Sequence, residues 1–227
     1  MGKKTYSNAR PDVSVLGLIF DMDGVLFDTE RDSIVNIIRI GGEMGFTISR
    51  EMVITNMDRN MAEEKVIYRK ALGDAFDADK FWDLYWEDRN RRYEKTGIPV
   101  KAGALGLLKI AKERGIPCVV ASSSPSAEVW KALKMANIDT YFSGVIGGDM
   151  FEKGKPNPDI FLAGAKILGL DPENCIVIED SLNGMKAGRA AGMQVVFVKD
   201  IPSYPEEELD RYADYSFDSA EEIVEIL

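Results

Sequence analysis

The sequence predicts an α/β fold: a Rossmann-like parallel-sheet core interrupted by a small inserted helical domain. Three observations carry this. Val15–Phe20 is an apolar run without polar alternation, the signature of a strand buried on both faces, and it breaks at Asp21, Asp23 and Gly24. Residues 30–95 then show helical spacing and no strand pattern. From Pro99 onward strands and helices alternate, which implies a parallel sheet with right-handed crossovers. The core is therefore expected at 13–29 and 96–227, and the helical domain at 30–95.

In chain order, residues 1–12 are mostly polar and read as a frayed leader. The strand ending at Phe20 leads into Gly24, which permits a sharp exit. Ile34, Val35, Ile37, Ile38 and Ile40 mark the first helix, up to Gly41 and Gly42. Ser49 is a candidate cap for a short helix to Asn56, although Met52 stands where a capping box wants Glu or Gln. A third helix is expected from Asn60 to Leu72, closed by Gly73. Phe81, Trp82, Leu84, Tyr85 and Trp86 read as the core of a helix bundle, and the mixed charges of residues 87–95 as a solvated helix face. Strands follow at 117–121, 144–147, 175–178 and 194–198, with helices at 103–114, 126–136, 158–168 and 182–190. Pro202 and Pro205 break the pattern before a last strand near Asp214–Phe217 and a closing helix capped by Ser219.

Composition narrows the function. Across 227 residues, 28 Lys and Arg face 38 Asp and Glu, a net charge of −10, which disfavours nucleic acid or an anionic membrane as partner. Cys118 and Cys175 fall in predicted buried strands and read as structural thiols in a reducing compartment. No run of about 18 apolar residues is present and the N-terminus lacks a signal-peptide pattern, so a cytoplasmic location is expected. The sequence holds no histidine, which removes Ser/His and Cys/His triads and zinc–histidine sites, and leaves acid/base work to Asp, Glu, Lys or Tyr.

Four strand ends carry polar residues that buried strands do not need: Asp21 and Asp23; Ser122 followed by Ser123, Ser124 and Ser126; Lys155; and Glu179–Asp180. Taken singly they have structural readings. Ser124 with Pro125 suits a helix cap, Asn157–Pro158 a helix start, and Glu179–Asp180 a turn. Together they place acids, a lysine and hydroxyls at the carboxyl edge of one sheet, a site for a hard cation and an anion. Oxygen-only ligation favours magnesium, which prefers few carboxylates plus a substrate phosphate. An aspartate can also act as nucleophile through an acyl-phosphate, with Lys155 and Ser122 neutralising charge.

The segments Asp21-Met-Asp-Gly-Val, Ser122, Lys155-Pro-Asn-Pro-Asp and Glu179-Asp180-Ser181 resemble, in order, the four motifs of the haloacid dehalogenase superfamily. The helical insert resembles the small cap domain of the branch containing beta-phosphoglucomutase and phosphoglycolate phosphatase. The resemblance implies that Asp21 is the nucleophile and Asp23 the general acid/base, with Ser122 and Lys155 holding the transferring phosphoryl group. It implies magnesium on Asp21, the Asp23 backbone carbonyl and Asp180, with Glu179 in or next to the shell. Gly24, Ser123 and Ser124, and Arg59 in the loop Met57-Asp58-Arg59-Asn60, are the candidates for substrate binding. The expected activity is magnesium-dependent hydrolysis of a small phosphorylated metabolite. The alternatives are a sugar-phosphate mutase of the beta-phosphoglucomutase type and a catalytically silent binding protein. Ser33 stands where many relatives, the mutase included, carry histidine, which argues against the mutase.

Overall fold

The structure is a computed structural model that describes residues 3–10, 14–57, 59, 61–101, 103–201 and 203–227. The expectations placed on Val13, Asp58, Asn60 and Pro202 lie outside the described residues. Among these residues the strands are β1 (Lys4–Thr5), β2 (Gly17–Phe20), β3 (Cys118–Ser122), β4 (Phe142–Gly147), β5 (Cys175–Glu179), β6 (Gln194–Val198) and β7 (Tyr215–Phe217). They form one sheet in the order β1-β7-β6-β5-β2-β3-β4, parallel throughout except for β1 against β7. The strand with the two aspartates at its end thus lies between β3 and β5. Phe20 pairs with Val120 on one side and Ile178 on the other, so Asp21, Ser122 and Glu179 leave the sheet at nearly one level.

The continuous apolar runs are explained by cover on both faces. Alternate residues point to opposite sides. Leu18, Phe20, Val120 and Ile178 pack with α5 (Ala104–Glu113) and α6 (Ser126–Met135), while Ile19, Val119 and Val177 pack with α7 (Asp159–Leu168) and α8 (Leu182–Ala190). Cys118 and Cys175 are buried inside these strands, and burial pushes their thiols up to about 12 and about 11, where they stay protonated. No described helix is long and apolar enough to cross a membrane.

Between β2 and α5 come α1 (Glu30–Glu43), α2 (Arg50–Asn56), α3 (Met61–Leu72) and α4 (Ala78–Thr96). They share a separate apolar cluster with Ile34, Ile37, Val53, Tyr68, Phe76 and Phe81 at its centre. Tyr68 stacks on Phe76 and Phe81 at centroid distances of 6.3 and 5.9 Å. Ser49 caps α2 through Met52 N at 3.1 Å, as its position suggested. Asp77 caps α4 in the same way through Lys80 N.

Four expectations are corrected. The run 87–95 is not a solvated face throughout, because Asp88 and Arg89 are buried on α4. Ser124 does not cap α6, which starts at Ser126 after Pro125; Ser126 itself is held by Asp149, at 2.8 Å through its amide and 2.6 Å through its hydroxyl. The closing helix is a 3-10 segment, Ala220–Ile226, with Ser219 accepting from Glu221 N. The N-terminal residues are not simply frayed, since Lys4–Thr5 pairs with β7 and Tyr6 is buried beside Ser216.

Phe81 is fully buried, so Phe81→Ala is expected to cost about 3–5 kcal/mol of stability, measured by urea unfolding.

Candidate active site

At the end of β2 the Asp21 amide donates to Ile178 O at 2.9 Å, still in the sheet, and the chain then turns. Leu26 N reaches Met22 O at 2.8 Å and Gly24 N reaches Phe27 O at 2.9 Å, closing a tight loop around Asp23. Gly24 has φ +79°, and a Cβ there would lie 1.9 Å from Asp180 Oδ2. Glycine is therefore required for backbone conformation and for space, and its role is to bring the loop against Asp180.

Lys155 is the buried centre of the site. Its ammonium donates to Asp21 Oδ1, Glu179 Oε1 and, at 3.2 Å, to Ala121 O. Burial alone would lower its pKa, but the Asp21 and Glu179 carboxylates outweigh it and hold Lys155 above the ordinary lysine value. The Asp21 carboxyl is pushed well above the carboxylate range, by burial first and with the Glu179 charge adding, against the pull of Lys155. Glu179 Oε2 accepts from the amides of Asp180 and Ser181, each at 3.1 Å, and from Ser181 Oγ at 3.0 Å. Gly184 lets α8 start against this carboxylate, since a Cβ there would lie 1.9 Å from it. Glu179, expected in or next to a metal shell, gives its oxygens to Lys155 and to the turn that presents Asp180 and starts α8.

Asp23 has a different environment. Thr29 Oγ1 and Arg89 Nη2, the latter at 3.5 Å, donate to Oδ1, while Ser124 Oγ donates to Oδ2 at 3.4 Å. Arg89 is buried between the rings of Trp86 and Tyr93, at 4.9 and 5.5 Å, and its pKa is held above the usual arginine value by Asp23 despite burial.

A cavity of about 90 Å³ lies between the sheet edge and the helical insert. Its floor is Asp21, Asp23, Ser122, Ser123, Ser124, Lys155 and Asp180, and Arg59 lines it from the insert. The candidate residues thus converge, with Gly24 and Glu179 as supports behind the wall. Trp82, Tyr85 and Trp86 belong to the insert's apolar cluster, as expected of a bundle core, and also line this cavity. Sequence reasoning missed Glu30 and Arg89, and singled out Ser33 only as the position where many relatives carry histidine. Arg89 follows Trp82, Tyr85 and Trp86 at helical spacing, a signal that it shares their face. Ser33 meets the Tyr85 hydroxyl at 2.7 Å.

Glu30, Asp180 and Asp200 offer carboxylate oxygens within 4.8 Å of one another beside the Gly24 loop. Lys101 bonds the Gly24 carbonyl and pairs with Asp200 at 3.0 Å. All the acid donors here are oxygens, and Gly24 brings the loop main chain close to Asp180, so this set fits a hard divalent cation.

Residues 15–192 match the haloacid dehalogenase-like hydrolases. The chain belongs to this family. It is 35% identical over 191 residues to the protein SUPPRESSOR OF QUENCHING 1, chloroplastic, of Arabidopsis thaliana, covering 82% of this chain and 18% of that much longer protein. It is 28% identical over 180 residues to a phosphorylated carbohydrates phosphatase of Thermotoga maritima, covering 79% of this chain and 83% of that one. The crystal structure of a beta-phosphoglucomutase from Clostridium difficile superposes with a TM-score of 0.75 at 24% identity over 92% of this chain and 96% of that one, a likeness of fold. In this hydrolase the four strand ends read from sequence meet at one cavity.

Two outcomes follow for stability with chelator present. Lys155→Met leaves two carboxylates buried without their cation and is expected to cost about 3–5 kcal/mol. Because the folded pKa of Asp21 is raised, its contribution is most favourable at acidic pH and is lost as pH rises through the raised value. Asp21→Asn is therefore expected to stabilise the fold at pH 7, with the gain shrinking toward pH 4 in urea unfolding.

Proposed function

We propose that the protein is a magnesium-dependent phosphatase that hydrolyses a small phosphorylated metabolite through a phosphoaspartate on Asp21. The observation that carries this is the division of labour between two carboxylates two residues apart. Asp21 is buried against Lys155 at the cavity floor, while Asp23 is partly open and held by hydroxyls and a guanidinium. The Thermotoga relative, named for phosphorylated carbohydrates, supports a sugar or polyol phosphate as substrate.

In this reading the helices α1–α4 form a cap over the core, and Arg59 and the aromatic wall meet the leaving group. Asp21 attacks phosphorus as the ester P–O bond breaks, and Asp23 gives its proton to the departing alkoxide. Water then attacks the aspartyl phosphate with Asp23 accepting the proton, releasing inorganic phosphate and restoring Asp21. Lys155 and Ser122 face the phosphoryl oxygens and offset their charge. As the family resemblance implies, Asp21, Asp180 and the Asp23 carbonyl would hold magnesium, with Glu30 and Asp200 offering further carboxylate oxygens beside Asp180, and the ion would supply charge neutralisation at the phosphoryl group. Glu179 acts behind them, fixing Lys155 and the Asp180 turn.

Purified protein with magnesium is expected to release phosphate from 4-nitrophenyl phosphate and from members of a panel of sugar and polyol phosphates. Asp21→Asn should reduce this at least about 10³-fold while leaving the protein folded; retained turnover would overturn the assignment. With beta-glucose 1-phosphate and a bisphosphate primer, free phosphate is expected, and glucose 6-phosphate would make the protein a mutase.

A further inference from the structure

We propose that Arg89 is the positioning residue for Asp23: with Thr29 it holds Oδ1 of the carboxyl and leaves Oδ2, on the Ser124 side, to carry the proton. This rests on the phosphatase reading above. Asp23 follows the strand rather than lying in it, and its side chain is 32% exposed, so packing does not fix it. Its orientation must come from polar partners. Two of these, Thr29 and Arg89, address Oδ1, and the third, Ser124, addresses Oδ2 from the side of the phosphoryl cradle.

Arg89 is built for a single orientation. Its side chain is 4% exposed, with Trp86 on one face and Tyr93 on another. The Tyr93 hydroxyl donates to Asp32 Oδ2 at 2.8 Å, which pins the ring beneath the guanidinium. Arg92 reaches the same carboxylate at 2.6 and 2.7 Å. One turn before Arg89, the Tyr85 hydroxyl meets Ser33 at 2.7 Å. These links tie α4, which carries Arg89, to α1, which begins beside Thr29. Thr29 belongs to the core segment just before α1, while Arg89 belongs to the insert, so the proton-carrying oxygen is fully aimed only when the insert sits on the core.

The step affected is leaving-group expulsion. The Asp21 oxygen bonds to phosphorus, the ester P–O bond breaks, and the proton on Asp23 Oδ2 passes to the departing oxygen. An alkoxide needs that proton; a nitrophenolate leaves without it. A loss of Asp23 orientation is thus felt on alkyl esters and largely spared on the aryl ester, whereas a general structural defect lowers both alike.

The test compares kcat/KM of wild type, Arg89→Met and Arg89→Lys, each full-length with magnesium, on 4-nitrophenyl phosphate and on the sugar phosphate turned over fastest in the panel. Methionine keeps the packed stem between the rings and removes the charge. Arg89→Met is expected to lose about a hundredfold on the sugar phosphate and less than about tenfold on the aryl ester, and Arg89→Lys to recover part of the difference. Equal losses on both esters, a rise confined to KM, or a lysine variant no better than methionine would overturn the proposal. A crystal structure of the wild type is the second readout, independent of turnover and of how the variants fold: Asp23 Oδ1 should face Arg89, and a carboxyl turned away from it would overturn the proposal. If the wild type released phosphate from neither ester, the phosphatase reading would fall, and this one with it; unequal wild-type and variant losses that fail the pattern above remove this one alone.

Discussion

The site depends on one buried ammonium. Lys155 sits where three strand ends meet, and its three donors are divided among Asp21, Glu179 and the β3 carbonyl of Ala121. Without it, two carboxylates would be stranded in a low-dielectric interior, at a cost of several kcal/mol. With it, Asp21 is held at the cavity floor, and Glu179 is free to organise the turn before α8. The central position of β2 makes this arrangement available, because only a strand with parallel neighbours on both sides brings three carboxyl ends to one place.

The helical insert also contributes to the cavity wall. Its aromatic face serves two structures at once: Trp82, Tyr85 and Trp86 pack in the cluster that holds Phe81 and Tyr68, and they also line the cavity. The same helix delivers a cation to Asp23. The two carboxylates thus have different partners: Lys155 of the core pairs with Asp21, while Asp23 bonds Thr29 of the core and Arg89 of the insert.

Much of this was legible in the sequence, for physical reasons that also explain the misses. The core strands could be read because strands covered on both faces are continuous apolar runs, and Asp21, Asp23, Lys155 and Asp180 because acids and a lysine recur together after successive strands, although each alone has a structural reading. Arg89 was hidden by its neighbours, since Glu87, Asp88, Arg91 and Arg92 make the stretch look solvated, and only its phase relative to the tryptophans distinguishes it. Ser124 was read as a cap because Pro125 follows it, yet its hydroxyl points to a residue 101 positions away, a contact no local pattern encodes. Lys4–Thr5 was too short and too polar to register as a strand, because its pairing comes from β7 rather than from its own apolar content.

That short strand has a further meaning for the sheet. β7 would otherwise present a bare row of amides and carbonyls, the kind of border along which separate molecules can zip together. Two residues running in the opposite direction, with Lys4 bound to Glu206 and Asn8 reaching the carbonyls of Asp210 and Arg211, seal that border with polar, charged chain. The segment of least apolar content in the sheet is therefore the one that covers the β7 border with charged and polar chain.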